Sequence, residues 1–209
     1  MNIRGFGGIT KQKSLMSLFS SLNPDIILIQ ETMCDYYSPL HLFSKMRPSW
    51  EFCALDSLGI LGGLLTSWNP HLTHCKVFHS YDGILVKAIF KGLDFVFSIL
   101  NYYGPYSNKY FFWYKVLARA IFYYPNLILA GDLNFTLSNA EIWGNRARID
   151  HMVHYFSHLL DSTNMVDLAP HTPGPTWRND CVGHDGVSKR IDRFLDTLHV
   201  LPALNQYNS

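Results

Sequence analysis

The stretch that most constrains the fold is NLILAGDLNF, Asn126 to Phe135. An unbroken apolar run from Leu127 to Ala130 is bounded upstream by Pro125 and closed by Gly131. Polar alternation is missing, so the run predicts a strand buried on both faces. A strand end that carries Asp132 and Asn134 two residues apart puts both side chains on one face. A carboxylate there can position or deprotonate a water, and a carboxamide beside it can hold an oxyanion. Gly-Asp-Leu-Asn is equally the composition of a plain turn. Taken alone, the stretch leaves both readings standing.

At 209 residues the chain suits a single domain with a sizeable core. The 48% apolar and 16% charged content, with 14 Phe and 12 Tyr, describes a compact, aromatic-rich soluble protein. A net charge of +1 excludes any global pull toward nucleic acid or membrane, so such a pull has to come from local clusters. Cys34, Cys53, Cys75 and Cys181 lack the close spacing of a zinc site and read as reduced thiols. The ten histidines read as surface and ordinary polar residues. No secretory signal or long apolar run is found, which predicts an intracellular protein without a membrane partner.

Along the chain, Asn2 to Arg4 reads as a very short extended stretch running into a loop with Gly5, Gly7 and Gly8. From Lys11 to Leu22, the spacing of Leu15, Leu18, Phe19 and Leu22 predicts an amphipathic helix, with Lys11 and Lys13 solvated in its first turn. Asn23-Pro24 stops it. Asp25 to Ile29 reads as a second buried strand that ends in Gln30-Glu31-Thr32, so Glu31, like Asp132, is an acid at a strand end. Ligands of sheets of this kind collect beyond the carboxyl ends of the strands. Tyr36 to Trp50 reads as a loop and short helix, with Pro39 in its first turn.

Strands are expected at Glu51–Ala54, Leu61–Trp68, Cys75–Phe78, Ile84–Phe90 and Phe95–Leu100. Gly62 and Gly63 are expected to allow close backbone approach, and Gly83 and Gly92 to make turns. This run of adjacent strands argues against a purely alternating parallel sheet. Asn101 to Pro105 is expected to be a loop that presents Tyr103. Helices are predicted over Lys109–Phe122 and from about Arg148 to Leu160, and Met165 to Leu168 follows the second of them. One strand is predicted over Ser188–Leu195. Arg178, Lys189, Arg190 and Arg193 form the single noticeable basic concentration, which reads either as a DNA-facing patch or as a solvated edge.

Several pieces occur in an order that resembles the endonuclease/exonuclease/phosphatase superfamily. They are Asn2-Ile3-Arg4-Gly5, Gln30-Glu31-Thr32, Gly62-Gly63-Leu64-Leu65, Asn101-Tyr102-Tyr103-Gly104-Pro105, Gly131-Asp132-Leu133-Asn134, Thr176-Trp177 and Arg190-Ile191-Asp192-Arg193-Phe194-Leu195. The likeness is strongest to the apurinic-type endonuclease domain that opens the polyprotein of plant LINE retrotransposons. It implies a four-layered, DNase I-like α/β sandwich with two packed, mainly antiparallel sheets and outer helices. It also implies a Mg²⁺-dependent phosphodiesterase, with Mn²⁺ as the alternative ion, that nicks DNA as a monomer. A nuclear site of action and a reverse transcriptase domain in the parent polyprotein go with it.

Carried over by residue, the resemblance makes Glu31 the principal metal ligand, with Asn2 beside it. It sets Tyr103 at the scissile phosphate or leaving group, Asp132 at the water and Asn134 at the phosphate oxygens. DNA would be met by Trp177, Arg178 and Arg190. Asp192 would orient a histidine in a downstream Ser-Asp-His motif, and His199 lies too close behind Asp192 to be that residue. The chain is therefore expected to be incomplete at both ends, with a shortened first strand and without the last strand and its histidine. Loss of one such group costs on the order of a hundred- to a thousand-fold in rate. The rival reading is a non-catalytic remnant that keeps at most weak DNA affinity. A phosphoinositide or sphingolipid head-group substrate is a third reading, for which no membrane-seeking loop is evident.

Overall fold

The computed structural model describes residues 1–33, 43–58, 61–80, 83–144, 150–179, 181 and 183–197. The expected loop around Pro39, the helix start at Arg148, His199 and the segment 201–209 lie outside the described residues, as does Cys34. The chain divides into two compact units, residues 1–103 and 104–209.

The first unit begins with helix α1 (Ile9–Leu22) and strand β1 (Ile26–Gln30). A helical turn, α2 (residues 43–46), precedes strands β2 (Glu51–Leu58), β3 (Leu61–Trp68), β4 (Thr73–Ser80), β5 (Gly83–Phe90) and β6 (Phe97–Tyr103). One antiparallel sheet runs β1-β3-β2, in register Ile27↔Ser67 and Cys53↔Thr66. The other strands pair antiparallel as β4-β5-β6, with Val77↔Val86 and Val86↔Ile99. Against the first sheet, Leu15 and Phe19 of α1 pack with Phe6, Ile27, Ile29, Phe43 and Leu65. The four-residue spacing of Leu15 and Phe19 makes one narrow apolar stripe. Leu18 and Leu22, expected on the same buried face, are exposed.

Asn101 joins the two sheets of this unit. Its buried side-chain amide donates to Leu65 O (2.9 Å), Ile29 O (3.3 Å) and Thr66 Oγ1 (3.2 Å), and its Oδ1 accepts from Gln30 Nε2 at 2.6 Å. Asn101 is therefore inside a strand, and Tyr103 ends β6 where a loop was expected. Gly83, expected in a turn, opens β5 opposite Tyr102. A Cβ there would sit 2.5 Å from Asn101 O, so glycine is needed for a close approach rather than a turn. At Gly62 the reverse holds, because the space is open and the need is a φ of +83°.

The second unit contains α3 (Lys109–Ala118), β7 (Leu127–Asp132), β8 (Ile142–Trp143), α4 (Met152–Thr163), β9 (Met165–Asp167), β10 (Trp177–Arg178), β11 (Ser188–Lys189) and β12 (Asp192–Thr197). Strand β12 lies between β7 and β9, antiparallel to both, and β10-β11-β8 form a small antiparallel sheet. The predicted helix to Phe122 stops at Ala118, and a 3₁₀ turn, Ile121–Tyr123, follows a positive φ at Ala120. The single strand expected over Ser188–Leu195 is two, broken at Arg190 and Ile191. The core is aromatic: Trp113 of α3 meets Phe156 of α4 edge-on (4.7 Å), and Phe156 meets Phe135 (5.3 Å). Lys109, whose ammonium stands over the Phe135 ring, forms an ion pair with Asp150.

Among the described residues, Cys53, Cys75 and Cys181 take part in no disulfide. Burial pushes the Cys53 thiol up to about 11, and burial with the Glu51 charge pushes Cys75 up to about 12, so neither is a nucleophile near neutrality. No described helix is long and apolar enough to cross a membrane.

One buried group works against this core. Asp196, next to last in β12 and paired with Ile128 and Val166, is 0% exposed. Neither carboxyl oxygen makes a well-formed hydrogen bond among the described residues. Burial raises it to about 7, and the poorly aligned Thr197 N–H offsets only part of the shift. The folded protein binds this proton more tightly than the unfolded chain, so stability is highest below pH 4 as far as this group is concerned. It is lost as pH rises through 7, by roughly 4 kcal/mol. Urea unfolding from pH 4.5 to 8 should show that decline, and Asp196→Val should flatten it and raise stability at pH 8.

Candidate active site

In the first unit the polar groups gather where β1 ends. Glu31 follows Gln30 with φ +54° and Met33 has φ +49°, so the chain leaves the strand through a conformation that costs a non-glycine residue about 1 kcal/mol or more. Backbone bonds hold it there: Gly5 N donates to Glu31 O (2.6 Å), Thr32 N to Gly63 O (3.2 Å) and Met33 N to Gly62 O (3.0 Å). The glycine pair of β3 thus receives this turn. Glu31 is 3% exposed, and its Oε1 accepts a hydrogen bond from the Tyr103 hydroxyl. Two residues 72 positions apart, singled out by separate motifs, are in contact.

Asn2 is the other expected metal neighbour. It forms an isolated parallel bridge with Gln30, the residue before Glu31, and its Oδ1 accepts from Arg4 N at 3.1 Å. The loop behind it is fixed by Lys11, whose ammonium donates to Ile3 O (2.9 Å), Arg4 O (3.1 Å) and Gly5 O (3.1 Å). Lys11 is exposed in the first part of α1, as expected, and is also a clamp on the N-terminal loop. Periodicity could not show this, because it assigns a face and not a long-range partner.

In the second unit Asp132 ends β7 and is 1% exposed. Its Oδ1 accepts the Asn134 backbone N–H at 2.7 Å, and Asn134 has φ +58°. The turn reading of Gly-Asp-Leu-Asn is realised, and that turn holds the carboxylate at the strand end. The Asn134 side-chain amide donates to Gly104 O, and Gly104 N donates to Asp132 O at 2.7 Å. A Cβ at Gly104 would lie 2.6 Å from Leu133 O, which excludes any larger residue.

Asp192 opens β12 directly opposite Asp132, so both carboxylates project from the same face. Thr176 Oγ1 accepts from Ile191 N and Asp192 N, at 3.0 Å each, and Ile191 O accepts from Leu133 N at 2.9 Å. Sequence reasoning gave Thr176 no role beyond its place in a motif. On the small sheet, Trp177 is half-buried with Lys189 Nζ 6.0 Å from its ring centre, and Arg178 is exposed.

Arg190 requires a correction. Expected to meet DNA, it is 4% exposed, with its guanidinium held by Asp167 (2.6 and 2.9 Å) and Glu141 (2.9 Å). Arg193 is equally enclosed. It bonds Glu141 Oε1 (2.6 Å), Asp167 Oδ2 (2.6 Å), Glu141 Oε2 and Arg190 O (3.0 Å). Burial pushes Glu141 up, but the bonds from Arg193, the Leu137 N–H and Arg190 outweigh it and hold the carboxyl below its ordinary value. The hydrogen bond that Arg190 donates to Asp167 is the main cause that raises the Arg190 guanidinium. Sequence reasoning missed Glu141 and Asp167, and no local signal marks them, because the partners of a buried arginine are set by the tertiary fold.

Among the described residues no three His, Cys, Asp or Glu side chains cluster as a metal cage. Glu31 and the Asn2 carboxamide are nonetheless hard oxygen donors. Mg²⁺ is commonly held by one or two carboxylates together with substrate phosphate, so the residues present fit such an ion.

Residues 1–195 match the endonuclease/exonuclease/phosphatase family, and the chain belongs to it. This family is generally dependent on divalent metal. No curated protein sequence matches the chain. Among solved structures, the endonuclease domain of TRAS1, a telomere-specific non-LTR retrotransposon, is similar at a TM-score of 0.70 and 14% identity, covering 97% of this chain and 85% of that one. The AP endonuclease LMAP from Leishmania major aligns at 0.73 and 14% identity, over 95% and 78% of the two chains. The 3′ phosphatase NExo from Neisseria, bound to a product DNA hairpin, aligns at 0.68 and 17%, over 95% and 85%. The fold class is the DNase I-like α/β class expected from the motifs.

Removing one partner of the enclosed arginine–carboxylate set leaves an uncompensated buried charge. Arg193→Met should therefore lower unfolding free energy by about 3–5 kcal/mol in urea titrations, while Arg178→Met on the exposed strand stays within about 0.5 kcal/mol.

Proposed function

We propose that the chain is a nuclease that uses a divalent ion, Mg²⁺ or alternatively Mn²⁺, to nick DNA by water attack on a phosphodiester. The observation that carries this reading is the Asp132 carboxylate, buried at the end of β7 and held by the Asn134 N–H, in a chain that belongs to this family.

Glu31 and Asn2 would hold the ion, which when bound supplies Lewis-acid stabilisation of the charge that builds on the phosphate oxygens. The Tyr103 hydroxyl donates its single proton to Glu31 and keeps that carboxylate oriented, and would turn it to the phosphate or leaving oxygen once an ion occupies Glu31. Asp132 orients the attacking water and accepts its proton. The Asn134 carboxamide holds a phosphate oxygen, and Asp192, cross-strand from Asp132, adds a second carboxylate to the same face. Trp177 and Arg178 remain as DNA contacts. Arg190 passes from substrate binding to support of the strand that bears Asp192.

The similarity to a retrotransposon endonuclease supports a retrotransposon origin, of the LINE type, with a reverse transcriptase domain in the parent polyprotein. A DNA substrate makes the nucleus the site of action, and the chain is proposed to act as a monomer.

The test is conversion of supercoiled plasmid to the nicked form with Mg²⁺. The natural chain should nick, Asp132→Ala should lose on the order of a hundred- to a thousand-fold, and Glu31→Gln should need more Mg²⁺ for the same rate. A folded natural chain that leaves the plasmid intact with Mg²⁺ and with Mn²⁺ would make it a non-catalytic member of the family. Phosphate release from a phosphoinositide without nicking would move the substrate to lipid head groups.

A further inference from the structure

Helix α3 turns an unusual face to solvent. Tyr110, Phe111 and Tyr114 are 56%, 57% and 54% exposed, and Tyr106 and Tyr123 are exposed before and after the helix. Residues four apart lie one above the other on a helix, so Tyr110–Tyr114 form one row and Phe111–Lys115–Arg119 a second. The ring geometry agrees. The Tyr110 and Tyr114 rings are 13° from parallel with centres 6.5 Å apart, and Lys115 Nζ stands 4.3 Å from the Phe111 ring centre. Half-buried Tyr155 of α4 backs this face, its ring 4.7 Å from Tyr110.

Two observations say what such a face is suited to bind. Among the described residues of this unit, every exposed large hydrophobic side chain is aromatic, whereas the first unit exposes Ile9, Met16, Leu18 and Leu22. Flat rings with hydroxyl tips suit stacking on planar groups better than seating an aliphatic partner. The charge is also one-sided: from Gly104 to Gly131 the sequence holds Lys109, Lys115 and Arg119 and no acidic residue. Lys109 pairs with Asp150, and both Lys115 and Arg119 are exposed along the aromatic rows. From Tyr110 to Arg119 the helix rises about 14 Å, room for about three nucleotides of a single strand.

We propose that this face of α3 is a binding surface for single-stranded nucleic acid, with bases stacked on Tyr110, Phe111 and Tyr114 and phosphates met by Lys115 and Arg119. It stands whether or not the chain cuts DNA, because none of these residues belongs to the candidate active site. A surface of this kind tolerates any base sequence, since each base has a π-face.

The test is fluorescence anisotropy of labelled dT12 and U12 with the full chain in EDTA, from 50 to 300 mM KCl. Affinity should fall steeply with salt. Tyr110→Ala and Tyr114→Ala should each weaken binding by about tenfold, and Lys115→Ala should reduce the salt slope by about one. All three side chains point to solvent, so circular dichroism and thermal midpoint should stay those of the natural chain. The Tyr110→Ala/Tyr114→Ala double variant should match the natural chain in the plasmid assay, which separates this surface from the nuclease reading. Oligonucleotide binding unchanged in the Tyr110→Ala/Tyr114→Ala double variant, or no binding by the folded natural chain, overturns the proposal. Self-association abolished by the same double variant, without oligonucleotide binding, would assign the face to a second copy instead.

Discussion

The second unit depends on two guanidinium groups shut away from water. Arg190 and Arg193 have almost no solvent exposure, yet each is matched to Glu141 and Asp167, so the cost of dehydrating the charges is offset by short, directional hydrogen bonds. Their placement explains the rest of the polar edge. Glu141 also accepts from the Leu137 N–H (2.9 Å), three residues past Asn134, and its carbonyl accepts from Arg190 N (3.1 Å). The ion set therefore ties the loop after Asp132 to the segment just before Asp192. A buried charge that lost its partner would be far costlier than a missing methyl group. The Asp132–Asp192 pairing is thus supported by charges carried on the neighbouring segments.

In the first unit the same end is reached with neutral groups. Asn101 and Gln30 are fully buried, and together they bond each other and the backbone of β1 and β3, which fixes one relation between the two sheets of that unit. Glu31 follows immediately, in a left-handed backbone conformation that the chain would relax without the Gly5, Gly62 and Gly63 contacts. Strain at an acidic residue, enclosed and oriented by a tyrosine hydroxyl, is a common mark of a functional position rather than of a packing one. The exposed aromatic rows of α3 have no such enclosure, and stacking chemistry rather than core packing accounts for them.

Much of this was legible from residue order. The β7 run, the Leu61–Trp68 strand and the α1 stripe follow from periodicity, because burial on one or both faces leaves a repeating signature. The errors have a common cause as well. Tyr103 read as a loop residue since Asn-Tyr-Tyr-Gly-Pro is turn-like, but Asn101 could enter a strand once Gln30, Leu65 and Thr66 supplied its partners. Ser188–Leu195 read as one strand because nothing local marks Arg190 as buried. Leu18 and Leu22 read as core since the stripe was assumed wide, and only the packing of Phe43, which meets both Phe19 and Phe6, narrowed it.

By itself the sequence determined which stretches are strands and helices, the family, and the acids at the strand ends, because these depend on side-chain spacing and on motifs that are contiguous in the chain. Tertiary structure alone decided which charges are available. It turned Lys11 into a clamp, Arg190 and Arg193 into buried supports, Asp196 into an unmatched core acid and Tyr103 into the partner of Glu31. Each of those outcomes turns on a neighbour far away in sequence, and a charged or hydroxyl group acquires its energetic sign only when its partner and its access to water are set.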